Sequence, residues 1–420
     1  MYQVTRLPNE LTVATAEMPH MASVSIGLWV AVGGRYEPVE LNGASHFIEH
    51  MLFKGTRRRS AKAISQAVEG IGGYLNAFTT EENTCFYSRA RHDRLEELLE
   101  VLMDMFLNSV FDPIEIAKER EVIKEELAMY LDHPHHYVHE LLNQTLWPGH
   151  ALGRSLTGSE RTLDGLGRRE LLRFRRQHYV SGGVLLAAAG RLRHKQVVRA
   201  VRRYAGRVWS GKRSDCAPFT GRQDGPRVKV GPKDTAQMQI ALGVRACSRH
   251  DPRRYALRLL NAVLGENMSS RLFQVLREDH GLTYSIQSNL SFFEDVGSLT
   301  ISAGLDTDQL RQVLKLMMRE LRRCHDRTIG PAELRRGRDY LIGQLDLGLE
   351  STESQMTWIA EQFLAYGTVH RPAQAKRRLA QVTAEQVRAV AREIFVPHSM
   401  NLAVVSPLKS ARGLADLLVP

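Results

Sequence analysis

The chain contains little cysteine, few aromatic residues and no long apolar run. Four of its 420 residues are cysteines, which lie far apart and form no C-x-x-C pair. This spacing excludes a disulfide framework and favours a reducing compartment. No apolar stretch approaches the length needed to cross a bilayer, and no basic segment followed by an apolar one opens the chain. We therefore expect a cytoplasmic protein that has no membrane partner.

The positive charge of the chain lacks the pattern of a nucleic-acid interface. The formal net charge is +11, but the arginines form short dispersed groups such as Arg57-Arg58-Arg59. Aromatic residues make up only 7% of the chain and do not alternate with the basic groups. A stripe of basic and aromatic residues is typical of nucleic-acid binding, whereas dispersed charge is typical of a solvated surface. We expect no nucleic-acid partner.

Strand and helix patterns follow one another in a mixed order and then repeat. Strand patterns occupy residues 23–32, 74–78, 84–89, 182–190 and 237–244, and helical patterns occupy 42–53, 92–107 and 112–131. Ser60 is a predicted N-cap of a further helix, and Asp251-Pro252 is a predicted helix start. The polar, glycine-rich segment 210–226 has no periodicity and is interpreted as a linker.

This arrangement predicts an α+β fold with two structurally similar domains, residues 1–212 and 226–420. Each would be a mostly antiparallel sheet packed with helices. When Gly265 is aligned with Gly55, the counterparts of His46, Glu49 and His50 are Ala256, Leu259 and Leu260. The second copy of the repeat therefore lacks the polar residues of the first.

The polar residues of the first copy form the motif His46-x-x-Glu49-His50. On a helix, residues four apart lie on one face, so both imidazoles can bind one metal ion. Glu49 lies beside them and can act as a general base at the open side of that metal. The alternative is a pair of surface histidines on an amphipathic helix, and a third ligand would decide between the two.

Glutamates on the helix that begins at Asp112-Pro113 are candidates for the third ligand. Glu119 and Glu126 are seven residues apart and share one face, beside an apolar stripe. A carboxylate there is costly to bury unless it is paired or bound to metal. For Glu119, Glu121 and Glu125, a solvated face remains the alternative.

Four segments of the chain resemble the pitrilysin/insulinase peptidases, the inverzincins, and most closely their bacterial and mitochondrial-processing-type members. These segments are G-A-S-H-F-I-E-H-M-L-F-K-G-T (43–56), G-G-Y-L-N-A-F-T (72–79), E-R-E-V-I-K-E-E (119–126) and M-S-S-R-L-F-Q-V-L-R-E-D-H-G-L-T-Y-S (268–285). The resemblance extends over nearly the whole chain. It implies a zinc metallopeptidase with one Zn²⁺ per chain.

The resemblance also implies a role for individual residues. Glu126 would be the third zinc ligand beside His46 and His50, and Glu119 would orient a ligating imidazole. Asn76 and Ala77 match the family's substrate-binding edge strand, which holds an extended peptide by backbone pairing.

Two residues of the second half, Arg277 and Tyr284, match a pair that binds substrate carbonyls in the family and helps to stabilise the oxyanion. In the family, this pair faces the zinc across a closed chamber and comes from the other half of a doubled chain or from another subunit. The chain has the length of one half only. We therefore expect a homodimer in which each protomer completes the zinc site of its partner.

The expected activity is hydrolysis of peptides or small unfolded polypeptides in an enclosed chamber by a zinc-bound water that Glu49 activates. Two alternatives remain: a processing peptidase for targeting presequences, and a non-catalytic core or scaffold subunit. The histidines at 133, 135, 136 and 139 are expected to be solvated, although a second metal site is the alternative.

Overall fold

A computed structural model describes residues 2–408 and 410–420 and divides them into two compact units. The first unit contains residues 1–128, 154–217 and 347–370. The second unit contains residues 129–153, 218–346 and 371–420. The predicted domains were 1–212 and 226–420. In the structure, the first unit also includes 347–370 from the second half of the chain, and the second unit includes 129–153 from the first half. None of the helices in the described residues is both long and apolar enough to span a membrane.

The first unit is built on a six-stranded sheet in the order β1-β2-β6-β3-β5-β4. Its strands are β1 (Tyr2–Arg6), β2 (Thr12–Glu17), β3 (Ser23–Val30), β4 (Tyr74–Thr79), β5 (Thr84–Arg91) and β6 (Val184–Gly190). Its helices are α1 (Ala44–Leu52), α2 (Ala61–Glu69), α3 (Leu95–Asn108), most of α4 (Pro113–Asp132), α6 (Glu160–Gly165), α7 (Arg168–His178), α8 (His194–Ala205) and α12 (Thr352–Tyr366). All pairings are antiparallel except that of β2 with β6.

The second unit is built on a five-stranded sheet in the order β7-β11-β8-β10-β9. Its strands are β7 (Arg227–Pro232), β8 (Met238–Ala246), β9 (Thr283–Phe292), β10 (Gly297–Leu305) and β11 (Asn401–Ser406). Its helices are α5 (Pro134–Leu146), α9 (Arg254–Leu264), α10 (Leu310–Asp326), most of α11 (Pro331–Gly348), α13 (Pro372–Ala380) and α14 (Ala384–Ile394). Only the pairing of β7 with β11 is parallel.

The two sheets share one topology. The parallel pair β2-β6 corresponds to β7-β11, and the antiparallel series β6-β3-β5-β4 corresponds to β11-β8-β10-β9. The first sheet has one additional strand, β1, at its other edge. The predicted α+β fold with two similar sheets, each packed with helices, is therefore confirmed.

Local signals in the sequence position most of these elements. The Ser60 side chain accepts a hydrogen bond from the Ala63 backbone N–H and caps α2. Helix α4 begins at Pro113, and Asp112 accepts a hydrogen bond from the Ile114 N–H. Residues 210–226, the predicted linker, lie between α8 and β7 and form neither helix nor strand.

Small side chains on one face of the first sheet allow α12 to pack closely. Met356, Ile359 and Ala360 of the helix are buried against alanines of β2 and β6 and against Trp29. An alanine surface lets a helix backbone approach a sheet, whereas the opposite face carries larger residues beneath α1 and α3. The same principle applies in the second unit, where α5 packs on the alanine-bearing face of β8 and β11.

Candidate metal centre

A buried carboxylate fixes the helix that carries the histidine motif. Glu37 accepts hydrogen bonds from the backbone N–H of Gly43 and of Ser45, each at 2.7 Å, at the N-terminus of α1. These donors have no partner within the helix, and an acceptor there also interacts favourably with the helix dipole. Phe47 and Ile48 are fully buried in the core of the first unit. The face of α1 that bears the motif therefore has a fixed orientation.

Helix α4 presents its glutamates to this face. Ile116, Ile123 and Leu127 are buried and hold α4 against the core of the first unit. Glu119 and Glu126 lie on the adjacent face, two turns apart. Helix periodicity thus explains why both carboxylates reach the same end of α1.

His46, His50 and Glu126 form a group that can hold a metal ion. One ligand atom from each residue lies within 4.8 Å of the other two. The Nε2 atoms of His46 and His50 are each 3.7 Å from the same oxygen of Glu126. A tetrahedral zinc ion with bonds of about 2.0–2.1 Å keeps its ligand atoms roughly 3.3 Å apart. The separations are too long for hydrogen bonds and fit an ion between the three atoms.

The electrostatics of this group favour a neutral imidazole at His46 and disfavour an uncompensated carboxylate at Glu126. Burial, followed by the nearby charge of His50, lowers the pKa of His46 to about 3. A neutral imidazole is the form that donates an electron pair to a metal. Burial raises the pKa of Glu126, while His50 acts in the opposite direction. A dication placed between these residues would compensate the carboxylate.

The predicted base Glu49 lies beside this group and is held by a hydroxyl. Thr79, the last residue of β4, donates a hydrogen bond from Oγ1 to Glu49 Oε2 at 2.5 Å. Burial raises the pKa of Glu49, whereas Thr79 and His50 lower it and Glu126 raises it. A carboxylate with a raised pKa suits a group that must accept a proton and later release it.

Glu119 contacts the imidazole of His50 and a lysine. Glu119 Oε2 is 3.1 Å from His50 Nδ1, and Oε1 is 2.6 Å from Lys54 Nζ. Only 4% of Glu119 is exposed, so these two partners provide most of its compensation. Helix periodicity alone did not distinguish the two glutamates. In the structure, Glu126 lies near the Nε2 atoms of both histidines, whereas Glu119 contacts Nδ1 of His50.

The strand β4 lies at an edge of the sheet next to α1. Among the described strands it pairs only with β5, so its outer edge is open to another strand. Asn76 and Ala77 lie in the middle of β4, and the Asn76 side chain accepts a hydrogen bond from the Ala77 N–H at 2.8 Å. The position of both residues is compatible with the predicted pairing to an extended peptide.

Arg277 and Tyr284 lie in the second unit and contact each other. The Arg277 guanidinium carbon is 5.0 Å from the centroid of the Tyr284 ring and 4.9 Å from that of Phe273. Tyr284, on the edge strand β9, is 78% exposed. An exposed tyrosine with an adjacent cation is available to a ligand, and the roles predicted for this pair remain predictions.

The histidine cluster after α4 does not form a comparable group. The rings of His135 and His139 are 5.5 Å apart, and those of His133 and His136 are 6.0 Å apart, measured between centroids. In the part of the chain that the structure describes, the group on α1 and α4 is the only one whose ligand atoms converge. His133, His135 and His136 are exposed and His139 is partly buried, and the solvation of the cluster stays a prediction.

Two residues with direct contacts to the centre, Lys54 and Thr79, were not singled out from the sequence. Both stand at the end of segments that carried the resemblance, 43–56 and 72–79. Their positions within these two segments are the sequence feature that could have indicated a role. Neither residue type indicates chemistry by itself, because lysines and threonines are common on protein surfaces.

The comparisons with known proteins agree with this geometry. The chain is 38% identical over 415 residues to an uncharacterized zinc protease of Streptomyces coelicolor, an alignment that covers 97% of the chain and 90% of the relative. It is 36% identical over 403 residues to an uncharacterized zinc protease of Bacillus subtilis, covering 95% and 97%. The family model for insulinase, peptidase family M16, matches residues 12–160. The chain belongs to peptidase family M16.

A second M16 model, described as the inactive domain, matches residues 165–341. In this part of the chain, α9 carries the buried residues Ala256, Leu259 and Leu260 at the positions aligned with the histidine motif. Among solved structures, a protease from Helicobacter pylori superimposes with a TM-score of 0.89 at 20% identity and covers 97% of this chain and 99% of its own. An M16 inactive-domain protein from Pseudomonas fluorescens gives 0.90 at 18%, with the same coverage. Both show the same fold.

Proposed function

We propose that this M16 protein is a zinc-dependent endopeptidase that hydrolyses peptides or small unfolded polypeptides. The observation that carries the proposal is the convergence of His46, His50 and Glu126 beside the partly buried carboxylate of Glu49. The relatives named zinc proteases support the choice of zinc, and the single converging group among residues 2–408 and 410–420 supports one ion per chain.

Each functional residue of the first unit has a separate role in the proposed reaction. His46, His50 and Glu126 would hold the zinc ion, which would supply Lewis-acid polarisation of a water molecule and of the scissile carbonyl. Glu49 takes the proton from the attacking water and passes it to the leaving amine. Thr79 holds Glu49 in place, and Glu119 orients the His50 ring through Nδ1. The open edge of β4, at Asn76 and Ala77, binds the peptide as an added strand.

The substitution Glu49→Gln tests this assignment. It keeps the size and shape of the side chain but removes its ability to take a proton, so hydrolysis should fall by about 10²–10⁴-fold. Zinc content, measured by elemental analysis, should stay at the wild-type level. A Glu49→Gln variant with wild-type turnover would exclude the role of Glu49. A wild-type protein that binds no zinc when supplied with it would instead favour a non-catalytic scaffold.

We further propose that Arg277 and Tyr284 act on the substrate in a homodimer, each protomer completing the site of its partner. The support is the resemblance together with the exposure of Tyr284. Mixing Glu49→Gln with Tyr284→Phe protein after subunit exchange tests it. If the sites are shared, each mixed dimer contains one complete site. An equimolar mixture, in which about half of the dimers are mixed, should then have about a quarter of wild-type activity. A mixture no more active than its components, or a fully active monomer by light scattering, would refute the shared site.

A further inference from the structure

Lys54 forms an ion pair with the carboxylate that supports the metal centre. Helix α1 ends at Leu52, and Lys54 follows two residues later. Its Nζ lies 2.6 Å from Glu119 Oε1, and the other oxygen of Glu119 lies 3.1 Å from His50 Nδ1. The carboxylate therefore bridges two side chains that are four residues apart in the sequence and lie at the same end of α1.

The ion pair between Lys54 and Glu119 is largely shielded from solvent. Glu119 is 4% exposed, and the Lys54 side chain is 30% exposed. An exposed ion pair contributes little, but a buried carboxylate that loses its cation is left without compensation. Among the ion pairs of the described residues, Glu119 has Lys54 as its one permanent cation, because His50 is charged only when protonated.

The two contacts also fix the carboxylate geometrically. With His50 alone, the Glu119 carboxylate could rotate about its side-chain bonds and still accept one hydrogen bond. The ion pair of Lys54 with the opposite oxygen restricts this rotation. Orientation of the His50 ring matters because its Nε2 must face the oxygen of Glu126, 3.7 Å away.

His46 has no equivalent support. Its Nδ1 is buried and has no hydrogen-bond partner among the described residues. The preorganisation of the two imidazoles is thus unequal, and His50 is the one whose ring is held from outside the ligand group. A change in the support of His50 should therefore affect the whole centre.

We propose that Lys54 is a positioning residue of the metal centre, which fixes Glu119 and through it the imidazole of His50. This inference rests on the proposed zinc site. Among the ion pairs and hydrogen bonds of the described residues, Lys54 has Glu119 as its partner and none of the three ligand residues, so we expect its effect to be on metal affinity and not on the chemistry.

The experiment measures zinc affinity by competition with a chromophoric chelator. Lys54→Met keeps the aliphatic stem and removes the charge, and it should weaken zinc binding by about 10–100-fold, the usual effect of losing an outer partner of a ligand. Lys54→Arg keeps a cation and should stay within about threefold of wild type. Lys118→Met is the matched control, since Lys118 pairs with Glu115 on the exposed side of α4 and should have wild-type affinity.

A double substitution separates this role from general loss of structure. If Lys54 acts through Glu119, adding Lys54→Met to Glu119→Gln should cost no further zinc affinity. Circular dichroism and thermal unfolding of the zinc-free proteins monitor folding, and Lys54→Gln replaces Lys54→Met if the latter does not fold. Wild-type affinity in the charge-removing variant, or additive losses in the double variant, would overturn the inference. Failure of the wild type to bind zinc would overturn the proposed function instead.

Discussion

The hydroxyl of Thr79 offers a specific test of how Glu49 is held. Thr79→Val replaces the hydroxyl by a methyl group of similar size. Valine is also β-branched, so the pairing of residue 79 with Thr84 of β5 should persist. The substitution removes the hydrogen bond of 2.5 Å between Thr79 Oγ1 and Glu49 Oε2. Glu49 then loses one of the contacts that fix its orientation.

The expected loss follows from the strength of that bond. A hydrogen bond to a charged group contributes about 1.5–3 kcal/mol. Each 1.4 kcal/mol of transition-state stabilisation corresponds to about a factor of ten in rate. If the full contribution is expressed in the transition state, kcat/KM should fall by about 10–150-fold. Because Thr79 is not in the ligand group, zinc content should not change.

The assay is hydrolysis of an internally quenched peptide, with zinc content measured on the same samples. Thr79→Ser keeps the hydroxyl and serves as the matched control, with activity close to wild type. In a Glu49→Gln background, Thr79→Val should cause no additional loss, because the two residues act together. Wild-type kcat/KM for Thr79→Val, or equal losses for the valine and serine variants, would refute this account of Glu49.

Three further predictions concern stability. Gly33→Ala should lower the free energy of unfolding by about 1–3 kcal/mol in urea titrations, because its Cβ would lie 2.0 Å from the Thr80 carbonyl oxygen; wild-type stability would contradict this. Both ring nitrogens of His194 bond hydroxyls, of Thr5 and Thr15, and burial lowers its pKa. The neutral ring therefore contributes its full stabilisation above about pH 6.5, and this contribution is lost as the pH falls and the ring becomes protonated. The free energy of unfolding of His194→Gln should therefore fall less than that of wild type between pH 7.5 and 5. Chelation of zinc should lower the unfolding temperature measured by calorimetry, because zinc at about 1,000 times its Kd stabilises the folded state by about 4 kcal/mol. An unchanged unfolding temperature would contradict the site.

Several features of the fold could be predicted because they depend on local physics. Ser60 and Asp112 mark helix starts, since a side chain that accepts backbone N–H groups acts within four residues of the chain. The strand of residues 23–32 is found at Ser23–Val30, and the helix of the histidine motif at Ala44–Leu52. The second copy of the repeat was recognised from the order of its elements, and the sheet topology confirms that order.

The assignment of helices to sheets could not be predicted in the same way. Helix α5 lies within the first half of the chain but packs on the second sheet, and α12 lies in the second half but packs on the first. An amphipathic helix shows in its sequence that one face is buried, but not which sheet covers that face. Only the long-range packing of Val138 or Met356 carries this information.

The sequence by itself determined the inner part of the candidate centre. The spacing of His46, Glu49 and His50 follows from the pitch of one helix, and the seven-residue separation of Glu119 and Glu126 follows from the pitch of another. The spacing alone left the choice between Glu119 and Glu126 open, and the resemblance favoured Glu126. Tertiary structure determines that Glu126 lies 3.7 Å from both Nε2 atoms, and it brings Lys54 into contact with Glu119 and Thr79 into contact with Glu49. Contacts between residues 30 to 80 positions apart depend on how helices and strands pack, and no local pattern records that packing.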